Sequence, residues 1–275
     1  MADKVNLSAP VRTNLLTLVR TSSLIDRTSN RLATGLKVNS ALDDPNSFFA
    51  ARSLSFRADD LLSIKDNVDQ SVSAIKAALN GLDAITDLIQ QAKGLANSAK
   101  ATGDTNERST LAVQFNALLD QVDFLANDTS FSGVNMIQAT PDNLEVTFNE
   151  DATANLTVTG IDSTTASTGI NVADAASDWA NDTVVNTALT AINSALTTLR
   201  TTSATFGSNN TILQSRLNFT QELVNTLEEG AGKLTLADLN EESANLLALQ
   251  TRQQLGLNSL ALAAQSERSV LSLFG

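Results

Sequence analysis

Four places along the sequence set two carboxylates side by side: Asp43-Asp44, Asp59-Asp60, Glu228-Glu229 and Glu241-Glu242. Paired carboxylates are the equipment of glycoside hydrolysis, one acid protonating the leaving group while the other acts as base or nucleophile. Each pair here falls beside an expected helix end or on a polar helix face. There an acid favours the N-terminal dipole or is simply solvated, and that reading outweighs the catalytic one. The sequence has no His and no Cys. Cys nucleophiles, Ser-His triads and zinc sites built on either residue are thereby excluded. No glycine-rich loop follows a strand, so nucleotide binding has no support. The acids between Asp142 and Asp162 lack the spacing of an EF-hand loop. The expectation is a chain that is no enzyme and holds no cofactor and no metal.

The charge balance narrows the partners. A net charge of -12 argues against binding nucleic acid by phosphate neutralisation. The charge is also uneven. Residues 1–40 carry six basic residues and two acids, whereas residues 236–275 carry two basic residues and four acids. The two ends are electrostatically complementary. Between Ser109 and Leu199 there is no Lys or Arg at all. No stretch reaches the ~18 apolar residues of a membrane span, so no membrane insertion is expected. The short run LLTLV between Arg12 and Arg20 is no ordinary secretory signal.

The elements follow from a seven-residue apolar repeat that recurs in four stretches. The first has Val11, Leu18, Ile25 and Leu32, beside Leu15 and Leu36. The second has Leu61, Val68, Ile75, Leu82, Ile89 and Ala96, beside Ile64, Ala78, Ile85, Ala92 and Ala99. The third has Val185, Ile192, Leu199, Phe206, Leu213, Thr220 and Leu227. The fourth has Leu239, Leu246, Leu260 and Phe274, beside Leu236, Leu257 and Leu271. A sustained period of seven means helices in left-handed, coiled-coil-like packing. Asp44-Pro45 reads as N-cap and first residue of the second helix, which should run to about Lys100. Gly230–Gly232 should end the third stretch, and Thr235 with Asp238 should open the fourth. A shorter helix is expected near 107–127 with Leu111, Leu118 and Leu125 on one face. With aromatics at 4%, Leu, Ala, Val and Ile must build most of the core.

The middle differs. Leu144, Val146 and Phe148 alternate, as do Leu156 and Val158, and the segment between them is rich in turn residues, which predicts a β-hairpin. Residues 160–182, rich in Ser, Thr, Asp and Gly, read as loop. The fold class is therefore mainly α: a long antiparallel helical rod with heptad packing, paired N- and C-terminal helices and a small β-hairpin tip. The last helix is apolar on more than one side, since Leu246, Leu247, Leu249, Leu255, Leu257, Leu260 and Leu262 share no stripe. Periodicity alone leaves two readings: the helix sits inside the chain's own bundle, or copies of the chain bury it.

Three motifs carry a family resemblance. RLATGLKVNSALDD at residues 31–44 resembles the N-terminal signature of bacterial flagellins, R-L-S-S-G-L-R-I-N-S-A-x-D-D, with Lys37 and Val38 conservative and Pro45 in place of the usual small residue. FSGVNMI at residues 131–137 is similar to the family's F-N-G-V-x-x-L, and VLSLF near the C-terminus to its closing V-L-S-L-[LF]. The resemblance implies a structural subunit that polymerises into the extracellular flagellar filament for swimming motility. The alternatives are a hook–filament junction protein or a surface adhesin on a flagellin-like scaffold. It implies inner-tube terminal helices at 1–43 and 236–275, a rod at 44–140 and 183–235, and a short surface tip at 141–182. The implied partners are many identical copies in a homopolymer, the flagellar export apparatus with an export chaperone, the filament cap and hook-associated proteins. The implied route out of the cell uses no cleaved signal peptide.

On this basis Leu7, Val11, Leu15, Leu18, Ile25, Leu32, Leu246, Leu257, Leu260, Leu271 and Phe274 are expected to form the assembly interface. The multi-sided apolar helix is then read as an assembly surface rather than as core. A second stretch resembles the segment that an animal flagellin receptor grips, usually L-Q-R-V-R-E-L-A. The equivalent is IQQAKGLA at residues 89–96, where Gln91 and Lys93 stand for the two arginines and Gly94 for the glutamate. Losing two fork-shaped donors implies weak recognition.

Overall fold

The computed structural model describes the backbone of residues 9–273, and the side chains in that span other than those of Ser177, Glu267 and 270–273. Among the described residues the elements run α1 (Ala9–Thr34), α2 (Pro45–Ala101), α3 (Thr105–Asp128), β1 (Leu144–Thr147), β2 (Asn155–Val158), α4 (Asp182–Thr235) and α5 (Leu239–Leu273), with a short 3-10 helix at Ala176–Trp179 before α4. The chain is mainly α, as its heptads predict.

Side-chain caps explain most of the boundaries. The Asp44 carboxylate accepts the N–H of Asn46 (3.1 Å) and Ser47 (3.3 Å) at the start of α2. Asp104 accepts from the Asn106 N–H (2.8 Å) at α3, and Asn181 from Thr183 and Val184 (3.1 and 3.2 Å) at α4. Each satisfies donors that the helix itself leaves unmade. α1 stops where Gly35 takes a φ of 71° and its N–H reaches back to the Arg31 carbonyl (2.8 Å).

Two expected boundaries move. α4 does not end at Gly230–Gly232 but continues to Thr235. A glycine inside a helix costs only about 1 kcal/mol, and buried Leu227 and Ala231 hold this last stretch in place. The cap of α5 is Asp238 rather than Thr235. Its carboxylate accepts the N–H of Asn240 (2.9 Å) and Glu241 (3.2 Å). The Thr235 hydroxyl instead bonds back to the Ala231 carbonyl (3.0 Å).

The chain divides into two compact units, Met1–Arg57 with Thr226–Gly275, and Ala58–Asn225. In the second unit the predicted rows are the core. Leu61, Val68, Ile75, Leu82, Ile89 and Ala96 of α2 are all buried, as are Val185, Ile192, Leu199, Phe206 and Leu213 of α4. α3 is turned relative to expectation. Its buried row is Ala112, Phe115, Leu119, Val122 and Ala126, while Leu111, Leu118 and Leu125 lie half-buried beside it. The reason is aromatic. Phe115 packs on the sole tryptophan, Trp179, with ring centroids 4.8 Å apart, and both are fully buried. Two of the few large rings thus fill the space that the aliphatic rows leave.

The hairpin pairs β1 and β2 antiparallel with Leu144 opposite Val158 and Val146 opposite Leu156. Phe148 lies just past β1, where Arg216 stacks over its ring at 5.1 Å. The loop that follows is strapped to α3. Asp123 accepts the Thr165 N–H (2.7 Å) and hydroxyl (2.9 Å), and Asn116 accepts the Ala175 N–H (2.8 Å). Arg108, buried on α3, pairs with Asp182 at the start of α4 and donates from Nε to the Thr102 carbonyl (2.9 Å).

Candidate assembly surfaces

In the first unit, α1 and α5 run antiparallel in a fixed register. Asn14 faces Ser259 (3.4 Å), and Arg31 faces Glu242 (2.8 Å). Between them Leu18 lies against Gly256: a Cβ there would sit 2.9 Å from the Leu18 Cδ2. Any side chain larger than hydrogen would force the Leu18 side chain to move. At the far end Leu36 pairs with Leu236, the Ala237 N–H meets the Gly35 carbonyl (2.9 Å), and Lys37 donates to the Thr235 carbonyl (2.7 Å). The expected pairing of the basic N-terminal helix with the acidic C-terminal one is thus present as a close Arg31–Glu242 ion pair. Glu242 is the more deeply buried member. A hydrogen-bonded charge pair of this kind fixes register more than it adds stability.

Two helices can cover only one side of each other. The heptad row of α1 is largely used within the chain: Val11 is buried, and Leu18, Ile25 and Leu32 are half-buried. Leu246 and Leu260 of α5 are half-buried as well, while Leu15 and Leu257 are exposed. Leu7, Phe274 and the Leu271 side chain lie outside the described residues. Also left in water are Leu236 and Leu239 on the rows, and, off the rows, Leu16 and Val19 on α1 and Leu247, Leu255 and Leu262 on α5. A seven-residue row points at the helix it pairs with. Apolar residues that flank it, such as Leu16, Val19, Leu247, Leu255 and Leu262, stay exposed. That signal was present in the sequence, in the leucines of α5 that share no stripe.

Members of three of the four carboxylate pairs hold turns, caps or ion pairs, and the fourth pair is exposed. Asp43 holds the turn before α2, accepting from the Asn39 N–H (3.2 Å), the Ser40 N–H (2.9 Å) and the Ser40 hydroxyl (3.1 Å). These bonds hold its carboxyl below the ordinary value, as the Ser47 hydroxyl and N–H do for Asp44. Asp59 and Asp60 are exposed on α2. Glu229 pairs with Lys233 one turn on (2.7 Å), which lowers its pKa. Among the described residues no three potential ligands cluster around a metal position, and no helix is long and apolar enough to cross a membrane. The receptor-like residues Gln91 and Gly94 are exposed and Lys93 half-buried on α2, while Ile89, Ala92 and Ala96 of the same helix are buried.

Comparison with known proteins agrees with the three sequence motifs. The model of the bacterial flagellin N-terminal helical region matches residues 5–142, and that of the bacterial flagellin C-terminal helical region matches residues 189–274. Flagellin FljO of Caulobacter vibrioides is 33% identical over 279 residues, covering 99% of this chain and 98% of that protein. Flagellin FljM of the same organism is 33% identical with the same coverage. A flagellin of Brucella melitensis biotype 1 is 27% identical, covering 95% of each chain. The fold is that of the crystal structure of Bacillus cereus flagellin, with a TM-score of 0.50 at 21% identity over 56% of this chain and 88% of that one. The full-length relatives match end to end, so the short middle is shared with them. The chain belongs to the bacterial flagellin family, in a short form without large outer domains.

Proposed function

We propose that the apolar sides of α1 and α5 left in water are the surfaces through which this flagellin joins its filament. As a flagellin the chain is a structural subunit of the bacterial flagellar filament. The single observation that carries the assignment of surfaces is the row of exposed leucines on a two-helix pair. Burying each such side chain would contribute roughly 1.5–3 kcal/mol, and a pair of helices has no third face of its own to do it. On this reading residues 1–43 and 236–275 line the inside of the polymer, 44–140 with 183–235 form its wall, and 141–182 face outward. The acid-rich middle then gives the filament an anionic exterior, which keeps filaments apart.

The family is one of structural proteins, and catalysis has no place in this reading. Homologous flagellins form an extracellular filament. The present chain is accordingly assigned export through the flagellar apparatus with its chaperone, growth beneath the filament cap, and seating on the hook-associated proteins. The test is electron microscopy of the purified protein after seeding with filament fragments. Long filaments are expected, and a protein that remains monomeric beside competent seeds contradicts the proposal. A variant lacking residues 265–275 should not elongate seeds while keeping its helical content. For the receptor-like stretch, weak activation of an animal flagellin receptor is expected, raised by Gln91→Arg with Gly94→Glu. Strong activation by the unmodified chain would refute it.

A further inference from the structure

Two other apolar rows are exposed, one in each unit. The first begins in the turn before α2, where Leu42 is 97% exposed. This is no loose loop. Asp43 and Asp44 lock it on either side through six hydrogen bonds from residues 39, 40, 46 and 47. Leu42 thus presents a side chain, on a carboxylate-locked turn, that none of the described residues covers. Seven and fourteen residues on, Phe49 and Phe56 are 61% and 55% exposed on one face of α2. Arg52 lies between them, its guanidinium 5.1 Å from the Phe56 ring. Residues 45–57 contain Arg52 and Arg57 and no acid.

The second row is on α3. Val113 and Phe124 are exposed on the face opposite the Phe115 core row, with Asp120 and Gln121 between them. From Ser109 to Asp128 the helix carries three acids and no cation. Acids flank the first row at Asp43, Asp44, Asp59 and Asp60, but the residue at its centre is a cation, Arg52, where the centre of the second row is an acid, Asp120. We infer that the Leu42–Phe49–Phe56 row of one copy docks on the Val113–Phe124 row of a second copy, Arg52 facing Asp120. The inference rests on the filament reading above and extends it to a named contact.

Charge selects this occupant. The other exposed apolar row of the second unit, Ile212 and Phe219 on α4, has Arg216 at its centre and would set cation against cation. Geometry fits a polymer as well. Two different patches on one chain make a head-to-tail contact, which propagates into open helical arrays instead of closing a dimer. A few side chains of about 150–250 Å² each fall short of the ~800 Å² per partner of a stable pair. Such a contact is therefore weak in free monomers and adds up when repeated along a filament.

The chain's lack of cysteine makes the test clean. In the doubly substituted Phe56→Cys, Phe124→Cys protein, oxidation after polymerisation should give a covalent ladder of dimers, trimers and longer species, and the monomer pool should give none. A charge swap supplies the second arm. Arg52→Glu and Asp120→Arg should each raise the critical concentration for assembly by at least ~10-fold. Their equimolar mixture should assemble near the original concentration, because each copy's reversed patch then meets its complement. Filaments that form without the ladder, or a ladder obtained only with Phe56→Cys and Ile212→Cys, would overturn the contact while leaving the filament function intact. Single swaps that assemble normally would overturn it too. Failure of the unsubstituted protein to polymerise would count against the filament reading itself.

Discussion

The two units obey the same seven-residue rule and end in different states. In Ala58–Asn225 the repeat is covered from several directions: rows on α2, α3 and α4, with the hairpin and the loop carrying Trp179, leave Ile75, Leu82, Ile85, Ile89, Val185 and Ile192 with no exposed surface. In the terminal unit, among the described residues, the repeat of α1 packs on α5, and Leu18, Ile25 and Leu32 stay half-buried while Leu247, Leu255 and Leu262 stay in water. The same pattern of residues is a core where a third and fourth layer exist, and leaves apolar side chains in water where they do not. Isolated helices owe little of their stability to propensity and most to such packing. The second unit should therefore be stable alone, and the first should depend on other copies.

Substitutions sharpen the contrast in order of size. Phe115→Ala removes a ring at the junction of α3 and Trp179 and should cost the second unit about 3–5 kcal/mol in a urea melt. A cost under about 1 kcal/mol would mean that this core is not closed. Gly81→Ala comes next. A Cβ at Gly81 would lie 2.6 Å from the Thr129 Oγ1 and 2.8 Å from the Ile137 Cδ1. In an open helix this change stabilises by about 1 kcal/mol. Here overpacking should make it destabilise by about 1–3 kcal/mol, and a raised melting temperature would refute the close approach. Leu255→Ala, on the exposed side of α5, should leave monomer stability within about 0.5 kcal/mol yet raise the concentration needed for polymerisation. Equal assembly by the variant would remove Leu255 from the interface.

The smallest effect is in the turn before α2. Asp43 and Asp44 are held below the ordinary carboxyl value of 3.8 by hydrogen bonds from Ser40 and Ser47. A depressed folded-state pKa stabilises above the ordinary value and loses that contribution as pH falls through the lowered one. Order in residues 39–47 should thus persist down to about pH 4 and fade below it, read from amide chemical shifts. In Asp43→Asn the fade should be reduced. A turn that loosens only on raising the pH would contradict the assignment.

Much of this was legible in the sequence. The α2 and α4 rows, the Asp44 cap and the hairpin follow from periodicity, an Asp-Pro step and strict alternation. The turn of α3 by about one residue was hidden, because Phe115 is placed by Trp179, which lies 64 residues away in a stretch that reads as loop. The Arg108–Asp182 pair was hidden for the same reason, since no local pattern reports a partner 74 residues on. The heptad rows named as the assembly interface were legible as apolar. Their facing direction was not, because a repeat shows which residues share a side without showing which neighbour takes it.

The central claim is that the terminal unit is completed by other copies while the middle unit completes itself. Hydrogen exchange measured on monomer and filament tests it most directly. Amides of α1 and α5 should exchange at least ~100-fold more slowly in the filament than in the monomer, while those around Ile75–Ala99 and Ala112–Ala126 should be equally protected in both. Equal protection of α1 and α5 in the two states would show that the chain buries its own ends, and the account would fail.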